Sequence, residues 1–328
     1  MNANATLKEI AEVIREADSV LLFPHDNADG DAIGSCVGLC LAIRSLGADC
    51  MVLMGEPLPG YIDFLDYGCC TTDVECMKNP DVCLCIDCSG DSRIPGRLSR
   101  YLEGKKKLCI DHHLIAEGYG ELYYIDENEA ATAGIIYKLI REFDDVELSR
   151  EMRNAIYTGL STDTGNFRYS NTTAETLRIA ADLMEEGIDH NMIIVSAFQN
   201  RNIHEIYVQM KVYENMELLM DGRCAVSYIT EEMLRECGAE YQHAETAIDC
   251  LRDIENVEIA AMLKEKEPGT VKCSLRAKST GNVVDIASFF GGGGHVKAAG
   301  YTFRGTMDDA RRTLKEQLER SRDMLQGR

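Results

Sequence analysis

Pro24-His25-Asp26-Asn27-Ala28-Asp29-Gly30-Asp31-Ala32-Ile33-Gly34-Ser35 is the stretch on which the reading of this chain turns. It follows an apolar run, Ser19 to Phe23, that reads as a buried strand. It leads into residues 32–46, where Ile33, Val37, Leu41, Ile43 and Leu46 recur at helical spacing. A strand, a polar Gly-containing loop and a helix N-terminus form the unit in which open α/β sheets hold ligands, beyond the carboxyl end of the strand. His25, Asp29 and Asp31 make an H-x3-D-x-D array in that loop. Imidazole nitrogen with carboxylate oxygen suits Mn or Zn, and Mg where water completes the shell. An ordinary turn also favours Asp and Asn, for local hydrogen bonding. Helix capping needs one such residue, however, and positions 25–31 hold four of them beside a histidine.

The same pattern recurs further along. Residues 50–54 read as a second strand, before Gly55-Glu-Pro-Leu-Pro-Gly60 breaks the chain. Residues 82–86 form a continuous apolar run ending in Asp87, and residues 107–110 another ending in Asp111-His112-His113. Runs apolar on both faces, with helical patterns between them, predict parallel strands covered on both sides. In a parallel sheet those ends lie along one edge, so residues distant in sequence fall into one cluster. Helices are expected over 6–17, 130–143, 149–160 and 173–186. The third of these runs into Ser161-Thr-Asp163-Thr-Gly165, and the fourth stops at Gly187. Residues 203–220 read as one long helix. Beyond it come a strand at 224–229, helical segments at 231–237 and 243–253, and strands at 257–263 and 271–276. A helix at 283–290 opens into Gly291-Gly292-Gly293-Gly294-His295, and a last helix covers 307–325.

At 328 residues the chain is long enough for two domains, each with its own core. No apolar run approaches a membrane span and the first nine residues lack a signal-peptide pattern, so a cytoplasmic location is expected. The fourteen cysteines are scattered through apolar segments, as small core residues in a reducing cytosol would be. Cys85 and Cys88 are spaced as C-x-x-C, but the adjacent Cys69-Cys70 lacks the spacing of a second zinc-binding pair. The net charge of −21 is unevenly spread. Residues 222–328 carry 16 Lys/Arg and 17 Asp/Glu; residues 1–221 carry 18 and 38, a net of −20. Such a body repels a long polyanion, whose binding depends on many Lys/Arg–phosphate contacts. A small anion drawn in by metal and a few local cations fits better. The segment 272–297 supplies those cations, with Lys272, Arg276, Lys278 and Lys297 against Asp285 alone. Arg93 and Arg97, flanking a Pro-Gly turn, read as surface charges, and His190, His204 and His243 as surface or packing residues.

Taken in order, H-x3-D-x-D-x-x-G-S, a strand-ending Asp, D-H-H, S-T-D-T-G and G-G-G-H-x-x-A-A-G resemble the DHH phosphoesterase family with its DHH-associated C-terminal domain, over nearly the whole chain. The resemblance implies an α/β fold: a DHH catalytic domain over 1–200 with a parallel sheet and helices on both faces, a helical linker over 201–221, and a smaller α/β substrate-binding domain over 222–328. It implies two Mn²⁺ ions, with Mg²⁺ or Co²⁺ as substitutes. His25 and Asp29 would hold one; Asp31, His112 and Asp163 the other; Asp87 would bridge them, and hydroxide would attack the phosphorus. His113 would face the substrate phosphate, and Asp111 would orient a neighbouring histidine. Arg276, in a match to the family's S-x-R, would hold the non-reacting phosphate with Gly292, Gly293, Gly294 and His295. Ala277 stands where many members carry Ser. Expected substrates are nanoRNA, pApA, cyclic di-AMP and the 3′-phosphate of pAp, cut in a cleft between the domains, with no role for long DNA or membrane and a homodimer as the candidate assembly. Two alternatives are a pyrophosphatase-like hydrolase, whose group has a different C-terminal domain, and a non-catalytic nucleotide sensor.

Overall fold

Six short segments of the first half pair side by side as parallel strands: β1 (Ser19–Phe23), β2 (Asp49–Leu53), β3 (Cys70–Thr71), β4 (Val82–Ile86), β5 (Lys106–Asp111) and β6 (Leu122–Ile125). The computed structural model describes residues 4–88, 90–113, 120–279 and 281–322, and the chain divides into two units, Met1–Asn200 and Arg201–Arg328. In the first unit the strand order is β3-β2-β1-β4-β5-β6. The direction of winding reverses between β1 and β4, where Val20 lies opposite both Cys50 and Val82. Such a switch point opens a crevice at the carboxyl ends of the two strands. The His25–Asp31 loop and Asp87 both emerge there.

The helices of this unit are α1 (Leu7–Arg15), α2 (Gly30–Ser45), α3 (Leu98–Leu102), α4 (Thr132–Arg141), α5 (Arg150–Asp163), α6 (Ala174–Glu186) and α7 (His190–Ile194). They cover the sheet unequally. One face, through Val20, Leu22, Leu84 and Ile110, packs into a large core with α1, α2, α4, α5 and α6. The other, through Leu21, Phe23, Cys83 and Cys85, is closed by Ile94 and by Tyr101 of the short α3. Each fully buried Leu, Ile or Phe here contributes about 1.5–3 kcal/mol. Eleven of the fourteen cysteines are buried, as core residues.

Close contact between α2 and α5 sets the position of Asp163. A Cβ on Gly34 would stand 2.3 Å from the Ala155 carbonyl oxygen, and one on Gly30 would meet the Thr162 side chain at 2.4 Å. The i, i+4 glycines of α2 thus let the two backbones touch. Asp163, the last residue of α5, is brought level with Asp31 in the first turn of α2. The predicted helix ending at 160 runs one turn further, and that turn carries the functional carboxylate.

In the second unit, the helix expected over 203–220 stops at Glu214. α8 (Ile203–Glu214) buries Val208 and Val212 in this unit's own core, and β7 (Glu217–Leu219) follows. The remaining elements are β8 (Cys224–Ile229), α9 (Glu231–Glu236), α10 (Ala247–Arg252), β9 (Ile259–Glu267), β10 (Thr270–Ala277), α11 (Val284–Phe289), β11 (Gly293–Gly294), β12 (Ala298–Arg304) and α12 (Met307–Arg320). The sheet runs β11-β12-β10-β9-β8-β7, antiparallel except for β8 with β9. α11 and α12 pack on one face, and α8, α9 and α10 on the other. β12 has no strand signature at its Ala-Ala-Gly start; pairing with β10 and burial of Ala299 and Tyr301 make it one. The last helix ends at Arg320, and the final part of the 307–325 expectation lies outside the described residues. No described helix is long and apolar enough to cross a membrane.

Candidate metal centre

Asp29 is the N-cap of α2, its Oδ1 accepting from the Asp31 and Ala32 amides at 3.1 Å. Its Oδ2 is left to face His25 Nε2 at 3.9 Å. Capping and ligand presentation are therefore done by opposite oxygens of one carboxylate. His25 Nδ1 donates to the Asp26 carbonyl at 2.9 Å, and His112 Nδ1 to the Glu129 carbonyl at 3.1 Å. Both rings are thereby fixed as the tautomer whose Nε2 lone pair points inward, as metal-binding histidines require.

Asp87 sits between them. Its Oδ2 is 3.7 Å from His25 Nε2 and its Oδ1 is 3.6 Å from His112 Nε2. The residue follows β4 with a φ of +57°, a left-handed conformation rare for a non-glycine residue and typical of places where function dictates backbone shape. Its amide is tied to the Ile110 carbonyl, and the buried Thr132 hydroxyl donates to Oδ1 at 2.8 Å. On the far side, His112 Nε2 is 3.9 Å from Asp31 Oδ2 and 3.8 Å from Asp163 Oδ2. Three groups that could hold a metal result, His25–Asp29–Asp87, Asp31–His112–Asp163 and Asp87–His112–His113.

The first turn of α4 faces Asp31. The Thr132 and Ala133 amides donate to Oδ2 and Oδ1 at 2.7 and 2.9 Å, and Ser35 Oγ adds a contact at 3.2 Å. The positive end of a helix dipole thus helps hold a fully buried carboxylate. Burial, reinforced by the charges of neighbouring carboxylates, still pushes Asp31, Asp87 and Asp163 up to about 7. His25 is lowered by burial, against the pull of Asp29. For His112 burial opposes the charged form, yet Asp31, Asp87 and Asp163 outweigh it and raise the pKa. The donor set is thus two buried carboxylates, Asp31 and Asp87, the half-buried Asp163, the more exposed Asp29 and two oriented imidazoles. It fits a pair of divalent cations, which would relieve the repulsion among the carboxylates.

His113 behaves differently. Its Nδ1 donates to Asp111 Oδ1 at 2.7 Å, and the same oxygen accepts the His112 and His113 amides. Burial works against its charge, but the Asp111 hydrogen bond and the nearby Asp87 carry its pKa to about 9. Its ring is half-buried, its charged form favoured by Asp111 in the metal-free cluster.

Three contributors escaped the sequence reading: Thr132; Glu129, whose carbonyl orients His112; and Asn171, which donates to the Ala130 carbonyl at 3.0 Å and the Asp163 carbonyl at 3.2 Å. Only the residue types were visible, since all three act across folded elements. Arg97 corrects an expectation. It is 3% exposed, not a surface charge, and donates to the Leu53 and Pro24 carbonyls at 2.6 and 2.9 Å and to the Asp26 carboxylate. A Pro-Gly turn says nothing about which nearby residue folds back beneath the strand ends. Arg93 is exposed, as expected.

In the second unit, Arg276 lies opposite Ala298, while Ser274, Gly300 and Gly293 form one row across β10, β12 and β11. The glycine run and the S-x-R strand are thus neighbours in one sheet. A Cβ on Gly292 would stand 2.2 Å from the Gly300 carbonyl oxygen, and Gly294 has a φ of +139°, so side chains are excluded at both. His295 occupies the exposed turn between β11 and β12.

Comparison with known proteins agrees with this division. The model of the DHH family, N-terminal domain, matches residues 19–160, and that of the DHHA1 domain matches residues 221–320. A bifunctional oligoribonuclease and PAP phosphatase NrnA of Thermus thermophilus is 31% identical over 321 residues, covering 97% of this chain and 94% of the relative. An exopolyphosphatase-related protein from Bacteroides fragilis superposes with a TM-score of 0.90 at 26% identity, over 97% of each chain. An exonuclease RecJ structure bound to manganese has a TM-score of 0.55 at 15% identity, over 98% of this chain and 95% of that one, which is a likeness of fold.

Proposed function

This chain belongs to the DHH family, with a DHHA1 domain in its second half, and from that premise we propose a divalent-metal-dependent phosphoesterase. Its substrates are short oligoribonucleotides and dinucleotides, including pApA and cyclic di-AMP, together with the 3′-phosphate of pAp. The observation that carries the reading is Asp87, with one carboxylate oxygen turned toward His25 and the other toward His112. His25 and Asp29 hold one ion, Asp31, His112 and Asp163 the other, and Asp87 is shared. The manganese of the RecJ structure and the mixed imidazole–carboxylate donors favour Mn²⁺. When bound, such a pair neutralises phosphate charge and supplies a nucleophile at neutral pH.

The chain's own residues do the rest. Backbone amides of α4 and the Thr132 hydroxyl hold Asp31 and Asp87 in place before any ligand arrives. His113, held through Nδ1 by Asp111, turns its other ring nitrogen to a phosphate oxygen. Arg276 and His295 take the non-reacting end of the nucleotide, where a guanidinium can fork onto phosphate. The acidic first two-thirds of the sequence disfavours long strands.

Product analysis by chromatography tests this, with Mn²⁺ and each of pAp, a diribonucleotide, pApA and cyclic di-AMP. Release of AMP from at least one is expected. Hydrolysis of pyrophosphate alone would make the chain a pyrophosphatase, and tight nucleotide binding without turnover would make it a sensor.

A further inference from the structure

Three of the four cations that make the 272–297 segment basic already donate to backbone carbonyls, Arg276 to that of Leu275 at 3.1 Å. Lys278 Nζ donates to the Ile254 carbonyl at 2.7 Å, and Lys297 Nζ to the carbonyls of Ser279 and Gly281. In their place the fold brings up Lys264, outside that segment and 1% exposed. The β9–β10 register sets Lys264 directly opposite Lys272. Val271, Cys273 and Leu275 point into the core under α11 and α12. By strand alternation Lys272, Ser274 and Arg276 share the other face with Lys264.

This arrangement is costly on its own. Like charges directly opposite destabilise an antiparallel pair, and burying an ammonium adds a desolvation penalty. The carboxylate beside it, Glu245, is itself 49% exposed on its side chain. Its Oε1 lies 3.3 Å from Nζ without hydrogen-bond geometry. Nζ also sits over the Tyr241 ring, 5.3 Å from the centroid, and the Tyr241 hydroxyl is likewise buried without a hydrogen-bond partner. On β9 the neighbours of Lys264 on this face, Ala260 and Met262, are apolar. A buried ammonium whose one nearby carboxylate is half-exposed, a buried hydroxyl without a hydrogen-bond partner and a second lysine opposite describe a place suited to an anion.

We propose that Lys264, Lys272 and the Tyr241 hydroxyl extend the phosphate site assigned to Arg276, and that together they hold the terminal phosphate of a short oligonucleotide. The proposal rests on the reading of Arg276 as a ligand of substrate phosphate. A purely structural Lys264–Glu245 ion pair is the competing account, and the two predict opposite behaviour.

Calorimetric titration of the metal-free full-length chain with pApA and with ApA, which lacks the terminal phosphate, separates them. The wild-type chain should prefer pApA by about tenfold or more, as a charge-assisted hydrogen bond implies. Lys264→Met and Lys272→Gln should each remove most of that preference while leaving ApA affinity within about twofold. Glu245→Gln should tighten pApA by freeing the ammonium, and Lys264→Met should melt no lower than wild type. Unchanged pApA affinity in Lys264→Met, with wild-type binding intact, overturns the extension and leaves the Arg276 reading standing. Failure of the wild-type chain to bind either dinucleotide overturns both. If Lys264→Met does not fold, Lys272→Gln, at an exposed position, decides by the same criterion.

Discussion

At the carboxyl edge of the first sheet, two buried carboxylates and a half-buried third are held close together; on one face of the second, two lysines stand opposite each other. Each region concentrates one sign of charge, and each is less stable empty than filled. They differ in how the charges are held. Asp31 has two helix amides and a hydroxyl, Asp87 has a hydroxyl and a strained backbone, and both metal-facing histidines are pinned through Nδ1. Lys264 and Lys272 have little beyond strand register and long, rotatable stems. The first region is preorganised for ligands that tolerate little error in position, such as metals. The second is suited to a phosphate, which can be met by donors arriving from several directions.

Asp87→Ala should break the comparison most severely. It removes the ligand shared by both ions, so turnover should fall by more than about 10³-fold while the melting profile shows a folded protein. Near-normal activity in folded, Mn²⁺-supplied Asp87→Ala would remove the two-ion mechanism. Thr132→Val tests whether preorganisation matters apart from ligation. Losing one hydroxyl from the Asp87 carboxylate should weaken Mn²⁺ affinity by about 10–100-fold, measured by competition with a chelator, with little change in secondary structure. Arg276→Ala should instead raise KM for pApA by about tenfold at normal Mn²⁺ occupancy. Hydrolysis of bis-p-nitrophenyl phosphate, which lacks the distal end, should be spared; an equal loss on both compounds would take Arg276 out of substrate capture.

Smaller effects sharpen the contrast. Asp31, Asp87 and Asp163, raised to about 7, keep protons in the folded metal-free protein that the unfolded chain has already lost. Metal-free stability from these groups is therefore full below about pH 4 and falls as pH rises through about 7. Metal binding offsets that loss. The rise in Tm on adding Mn²⁺ should accordingly be at least about 3 °C larger at pH 8 than at pH 5.5, read by scanning calorimetry. A Mn²⁺ shift independent of pH would show that the cluster is not protonated when empty. Across a series of RNA lengths, kcat/KM should decline several-fold from two to about five nucleotides, and added salt should relieve the decline. Salt-inhibited processive cleavage of long strands would reverse the charge argument.

The clustered edge was legible in the chain because its His and Asp residues sit where strands stop. His25, Asp87 and His112 each follow an apolar run, and parallel pairing places all such ends along one edge. Asp163 could be suspected only from its company; the glycine-lined contact between α2 and α5, a property of two packed helices, brings it to Asp31. Residue type likewise flagged Arg276 and the glycine run, because a glycine excluded by a neighbouring carbonyl leaves its mark in the sequence. The roles of Thr132, Asn171, Arg97 and Lys264 left no such mark. Each acts through a partner from 8 to 73 positions away, so its function exists only once the elements have packed. Local pattern and spacing determined the strands, the metal-binding residue types and the division of charge. Tertiary packing alone decided which of the chain's charges are buried and which of its cations remain free to meet a phosphate, since burial and pairing depend on what lies across the fold and not on what lies next in the chain.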